Sequence, residues 1–134
     1  MALELDWKYQ SELAEYCEEV FLLELNSRRK YVSLIGLVTG EALSLPYYRQ
    51  SRMQHWVDQK IAEQQLERIF VYSSAMAQYV KHEKYQHLHR VIDFVDVDSE
   101  KWREYSEQRI WPMSWLYRRE ANELLRYDRV LANS

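Results

Sequence analysis

The sequence predicts an α/β fold in which one parallel sheet lies between layers of helices. The 134 residues include only two Gly and two Pro, which favours long helices and short connections over many strands joined by turns. Because strands that alternate with helices pair in parallel through helical crossovers, we expect a doubly wound, three-layer arrangement. The strands are predicted where short β-branched and aromatic runs occur, at Val20–Leu25, Arg68–Tyr72 and Arg90–Val95.

Helical periodicity and end signals place the helices around these strands. Asn26 begins a helix that Gly40 is expected to stop, and Pro112 fits the first turn of a long final helix. The polar segment from His82 to His89 is predicted to be a linker, and its lone H-x-H spacing is weak evidence for a metal site. The predicted helices cover residues 5–16, 26–38, 50–64 and 73–80, a stretch from 98 or 99, and residues 112–131.

Composition argues against several classes of protein. The net charge of −3 offers no electrostatic basis for binding nucleic acid. The single cysteine, Cys17, cannot form an intramolecular disulfide. No apolar run approaches the roughly 20 residues needed to span a bilayer, and the first residues are acidic where a signal peptide would be basic. We therefore expect a soluble, cytoplasmic protein.

Carboxylates follow the third predicted strand, where ligands bind in open α/β sheets. Asp96 is the candidate general base toward a hydroxyl nucleophile, or an acceptor that grips a sugar hydroxyl. Asp98 and Ser99, at the start of the next helix, are candidate substrate-binding residues. The alternative is structural: Asp98 would cap the helix and Asp93 would make a hydrogen bond inside the fold.

Ser73 and Ser74 directly follow the second predicted strand. Their amides and hydroxyls at a helix N-terminus would suit an anion or a sugar hydroxyl, and both are candidate substrate-binding residues. Helix capping alone is the favoured alternative. The sequence contains no G-x-S-x-G elbow, which argues against a hydrolase serine.

The segment 109–119 (RIWPMSWLYRR) interleaves aromatic residues and arginines. Such a pattern suits peripheral contact with a membrane, where Trp and Tyr lie at headgroup depth and Arg meets anionic lipid. The favoured alternative is an amphipathic helix that packs its Trp side chains inward and keeps its Arg in water.

Several segments, in order along nearly the whole chain, resemble the sugar transferases associated with exosortase (PEP-CTERM) exopolysaccharide systems, within glycosyltransferase family 4. The longest are LVTGEALSLPYY at 37–48, FVYSSAMAQY at 70–79, VIDFVDVDSEKW at 91–102 and WPMSWLYRRE at 111–120. Shorter matches are Asp6-Trp7, Cys17–Val20 and Trp56–Asp58.

The resemblance implies a GT-B enzyme with two Rossmann-like domains, no metal requirement and a nucleotide-sugar donor held mainly by the C-terminal domain. This chain would be part of the N-terminal, acceptor-side domain, a single partial domain over 1–134 without the donor domain and inactive alone. It would act on a saccharide or lipid-linked acceptor, at or near the inner membrane. The resemblance places Asp96 near an acceptor-side catalytic position, and Ser73 and Ser74 on a loop that faces the cleft.

The alternative to an enzyme fragment is a non-enzymatic α/β module that binds a partner. In either case the sheet would lack two central strands. The backbone N–H and C=O groups of Val20–Leu25 and Arg68–Tyr72 would then lack their usual pairing partners. Either these strands pair directly, or a second copy covers the gap, and we expect a homodimer or larger assembly.

Overall fold

The structure, a computed structural model, describes residues 9–94 and 98–133. This part of the chain is mainly helical and contains a single sheet of two strands. The helices of the N-terminal half are α1 (Gln10–Tyr16), α2 (Arg29–Ser33), α3 (Ile35–Thr39), α4 (Ser44–Tyr48) and α5 (Ser51–Glu63). Two helices follow the sheet, α6 (Asp98–Glu107) and α7 (Met113–Ala132).

The two strands, β1 (Arg68–Tyr72) and β2 (His89–Asp93), run parallel. Parallel strands need a crossover of a dozen or more residues, and here it contains two 3₁₀ helices, Ser74–Tyr79 and Glu83–Tyr85. Alternation along β1 buries Val71 and leaves its sequence neighbours exposed, as expected of a strand with one covered face.

The prediction of a three-layer, Rossmann-like sheet is wrong, because the described residues form only two strands. The predicted strand Val20–Leu25 has no regular secondary structure and does not pair with the sheet. Phe21 instead contacts α5, where its ring stacks on that of Trp56 with a centroid distance of 5.2 Å and an interplanar angle of 13°. An apolar run requires burial rather than strand pairing, and for Phe21 a helix surface supplies the contact.

Other boundaries also differ from prediction. The helix predicted at 26–38 is divided into α2 and α3, and Gly40 ends α3 with φ 76° as predicted. The Gly36 carbonyl accepts a hydrogen bond from the Arg119 guanidinium at 2.7 Å. The predicted linker from His82 to His89 is wrong, because Tyr85 and Leu88 are buried and His89 begins β2.

The hydrophobic core lies between α5, the crossover and α7. It joins residues from both halves of the chain, so the C-terminal helix closes the fold. Its buried members are Ala42, Leu45, Ile61, Val71, Ala75, Ala77, Tyr79, Val80, Tyr85, Leu88, Leu124, Tyr127 and Leu131.

Helix α4 is held at both ends by charged side chains from distant parts of the chain. At its N-terminus, Glu120 accepts hydrogen bonds from the amides of Leu43 (2.5 Å) and Ser44 (2.9 Å). At its C-terminus, the Arg29 guanidinium donates to the carbonyls of Pro46 (2.8 Å) and Tyr47 (3.0 Å). Each charge has the sign that complements the unsatisfied groups at that end of a helix.

Candidate functional site

The two strands end side by side and bring two predicted site segments together. Tyr72 lies opposite Asp93 in the parallel register. Beyond the last pair, the Ser73 amide donates to the Asp93 carbonyl at 2.9 Å, which continues the ladder by one residue. Ser73 and Ser74 therefore share one edge of the sheet with the start of the 94–98 connection.

Ser73 has an uncommon backbone conformation, with φ 75° and ψ 133°. A residue with a Cβ rarely occupies this region, and such strain concentrates at binding and catalytic sites. The Ser73 side chain makes no capping hydrogen bond to the 3₁₀ helix that follows, so the capping role predicted for this hydroxyl is wrong. Ser74 begins that helix and is buried.

The remaining predicted site residues belong to the connection between β2 and α6. Asp93 ends β2 and is exposed. Asp96, the candidate base, lies outside the described residues. Asp98 and Ser99 form the first turn of α6, so this helix begins directly after the connection.

A second feature, which the sequence did not predict, is a cavity of about 300 Å³ between α2, α4, α6 and α7. We call it the aromatic cavity. Four aromatic rings contribute to its wall, together with two serines and one carboxylate. Its lining residues are Ser33, Leu43, Ser44, Tyr47, Tyr48, Trp102, Leu116, Tyr117 and Glu120.

Neighbouring rings pack against one another on the α6–α7 side of the aromatic cavity. The ring centroid of Trp102 lies 5.3 Å from that of Tyr117, with an interplanar angle of 45°, and 6.0 Å from that of Tyr105, with an angle of 86°. Both centroid distances are within the range of favourable aromatic pairs. Trp102 is four residues after Asp98, and one helical turn rises about 5.4 Å. The cavity wall therefore begins about one turn beyond the connection that carries Asp96.

Glu120 is the buried charged residue of this cavity, with only 2% of its surface exposed. One carboxylate oxygen accepts from the Leu43 amide, and the other accepts from both the amide and the hydroxyl of Ser44, each at 2.9 Å. None of the ion pairs formed in the described part of the chain involves Glu120. Within the described residues, the Glu120 carboxylate is therefore held by hydrogen bonds at the N-terminus of α4 and not by an ion pair.

The rim of the aromatic cavity is fixed by a buried tyrosine. The Tyr79 hydroxyl donates to the Tyr48 carbonyl at 2.5 Å and accepts from the Gln50 amide at 2.9 Å. Burial is the main cause that raises the pKa of Tyr79. The neutral phenol that donates this bond is therefore the form that the fold favours.

Sequence reasoning missed Glu120 because its neighbours suggest a solvated helix face. It follows Arg118 and Arg119 directly, and charged runs of this kind are usually exposed. The usable signal was its helical spacing with Leu124, which is also buried. That spacing places Glu120 on the face of α7 turned toward the core.

The segment 109–119 exposes its tryptophans rather than packing them inward. Trp111 is 78% exposed and Trp115 is 56% exposed, and Ile110 beside them is also exposed. The inward-packing alternative is therefore wrong for both rings. In the described residues, no helix is long and apolar enough to cross a membrane.

No cluster of three or more potential metal ligands occurs among residues 9–94 and 98–133. Comparisons of the chain with protein-family models, with curated proteins and with solved structures find no match.

Proposed function

We propose that this chain is the acceptor-side part of a glycosyltransferase similar to family 4, which transfers a sugar from a nucleotide sugar to a saccharide or lipid-linked acceptor in exopolysaccharide biosynthesis. The observation that supports it best is the shared strand edge, where the backbone bond from Ser73 to Asp93 joins the two segments with the most specific resemblance. The strained backbone of Ser73 at this edge is a second support.

In the proposed reaction, Asp96 accepts the proton of an acceptor hydroxyl. The hydroxyl oxygen then bonds to the anomeric carbon of the donor sugar, and the bond from that carbon to the nucleoside diphosphate breaks. Ser73 and Ser74, with Asp98 and Ser99, orient the acceptor. Since the nucleotide sugar would be held by a separate donor domain, we expect no transfer by this chain alone.

The proposed lipid-linked acceptor agrees with the exposed apolar groups of the segment 109–119. In this contact, the exposed Trp111 and Trp115 rest at headgroup depth, and the exposed Arg109 and Arg118 meet lipid phosphates. Co-sedimentation with vesicles of anionic and zwitterionic lipid tests this contact. We expect binding to the anionic vesicles that is lost in Trp111→Ser/Trp115→Ser and kept in Trp56→Leu, whose ring stacks on Phe21.

Ligand-observed NMR with a panel of methyl pyranosides and free nucleotide sugars tests the proposed function. We expect saturation transfer to at least one pyranoside and none to nucleotide sugars. Asp96→Asn should weaken pyranoside binding about tenfold, because it replaces a charged hydrogen-bond acceptor with a neutral one. Glu63→Gln, an exposed change on α5, is the matched control. If no pyranoside binds, or if Asp96→Asn binds as well as the native chain, the assignment fails.

A second candidate function, a partner-binding module without catalysis, is favoured by the open face of the sheet. Phe70 and Val91 are paired across the strands on this face, and Phe70 is 63% exposed. Parallel sheets normally have both faces covered. Saccharide binding distinguishes the two candidates, because we expect it of the acceptor-side part of a glycosyltransferase and not of the partner-binding module.

A further inference from the structure

The aromatic cavity holds a buried carboxylate with no cationic partner in the described part of the chain. A buried charge is normally paired or bound to a cation, because its removal from water is costly. Glu120 accepts its hydrogen bonds at the N-terminus of α4, and it forms no ion pair in the described part of the chain, so a cation in the aromatic cavity would add a favourable interaction.

The other walls of the cavity supply the surface that an organic cation prefers. Four of the lining residues are aromatic (Tyr47, Tyr48, Trp102 and Tyr117), and the faces of aromatic rings carry partial negative charge. Rings of this kind attract ammonium groups, and cages of several rings are the usual recognition of quaternary ammonium ligands. The volume of about 300 Å³ lies at the lower end of the range for small-molecule sites.

We propose that the aromatic cavity binds a small organic cation of the quaternary ammonium class, with the ammonium group among the four rings and opposite Glu120. A quaternary ammonium has no N–H group and therefore needs no hydrogen-bond acceptor. This suits Glu120, whose carboxylate oxygens already accept three hydrogen bonds. A saccharide would need several hydrogen-bonding groups, whereas most of the lining is aromatic or aliphatic.

The decisive comparison uses choline and its neutral isostere 3,3-dimethyl-1-butanol, titrated into the native chain by calorimetry. The two have nearly the same shape, so their difference reports the charge. We expect saturable binding of choline and binding of the isostere at least about tenfold weaker, because the isostere lacks the charge that favours cation–π contacts and the carboxylate.

Variants locate the binding site. Trp102→Leu and Tyr117→Leu each remove one ring of the cavity and should weaken choline binding about tenfold. Glu120→Gln removes the charge and should weaken it at least as much. Trp56→Leu removes a ring outside the cavity and should leave binding unchanged.

Three results would overturn the proposal: no saturable binding of choline, equal binding of the isostere, or equal loss in Trp56→Leu and Trp102→Leu. If Glu120→Gln fails to fold by circular dichroism, the isostere comparison and the two ring variants still decide. The experiment contains no sugar, so its outcome is independent of the proposed glycosyltransferase function.

Discussion

At the scale of single residues, α7 carries two buried polar groups in opposite situations. Glu120 receives three hydrogen bonds, whereas the Tyr127 hydroxyl is buried without a hydrogen-bond partner in the described part of the chain. Burial without hydrogen bonds costs the full desolvation free energy, whereas hydrogen bonds offset much of that cost. The two residues should therefore respond oppositely to removal of their polar atoms.

Glu120→Ala should lower the free energy of unfolding by about 2–4 kcal/mol. The change leaves the partly buried amides of Leu43 and Ser44 without their acceptor, and hydrogen bonds to a charged group are among the most costly to lose. Urea denaturation measures the effect. The control is Glu123→Ala on the same helix, which removes only an i,i+3 ion pair with Arg126 and should change stability by less than about 0.5 kcal/mol.

Tyr127→Phe should keep or raise stability at neutral pH, by up to about 1 kcal/mol, since it removes a buried hydroxyl with no partner. It should also change how the free energy of unfolding depends on pH in alkaline solution. Burial, the largest cause, raises the pKa of Tyr127 far above its ordinary value of 10.0.

Above that ordinary value the unfolded chain releases the Tyr127 proton while the folded chain keeps it. Tyr127 therefore does not lower the free energy of unfolding below about pH 10. Above that pH the free energy of unfolding falls, by at most about 1.4 kcal/mol per pH unit for this residue. Tyr127→Phe should reduce the slope, and Tyr16→Phe, at an exposed tyrosine, should not. An unchanged slope in Tyr127→Phe would show that the hydroxyl is solvated.

At the scale of elements, strongly periodic segments were predicted well. Helix α5 and strand β1 were expected at nearly their observed limits, because one stripe or one face of each is apolar. The strand predicted at Val20–Leu25 was wrong, because a short apolar segment does not specify which element it packs against. The hydrogen bond between Arg119 and Gly36 of α3 joins residues 83 apart in the sequence, and no local pattern reports such a contact.

The candidate site could be predicted only in part. The shared edge of Ser73 and Asp93 follows from the rule that parallel strands end together. The aromatic cavity could not be predicted, because its walls come from four helices whose relative placement depends on tertiary packing.

The turn after β1 holds Ser73 in a strained backbone conformation. Ser73→Gly should raise the free energy of unfolding by about 1 kcal/mol, because glycine adopts φ 75° without strain and this gain exceeds its entropic cost. Ser74→Gly, one residue later in the buried 3₁₀ helix, should lower it. Thermal denaturation of both variants checks the signs, and a loss of stability in Ser73→Gly would mean that the serine side chain stabilises the turn.

At the scale of the whole molecule, the sheet is covered on only one side. Phe70, Tyr72 and Val91 form its open face, with the first two 63% and 62% exposed. Arg68 and His89 lie at the start of the strands and Asp93 at the end of β2. Two copies related by a twofold axis across the strands would bring the basic end of each face to the acidic end of the other.

We therefore expect a homodimer through this face, with Phe70→Lys shifting the chain to monomer because a charge would be buried at the contact. Size-exclusion chromatography with light scattering over a range of concentrations measures the mass. Tyr31→Lys, an exposed apolar position on α2, is the control and should remain dimeric. A monodisperse native monomer at micromolar concentration would contradict this assembly.

The two charged residues that hold α4 also constrain the order in which the chain folds. A helix of five residues is far below the length that is stable alone. Its ends depend on Glu120, about 76 residues later in the chain, and on Arg29, about 17 residues earlier. Helix α4 should therefore form only as α7 docks, and the amides of Leu43 and Ser44 should exchange hydrogen with solvent at the rate of the core of α7 rather than of a surface turn.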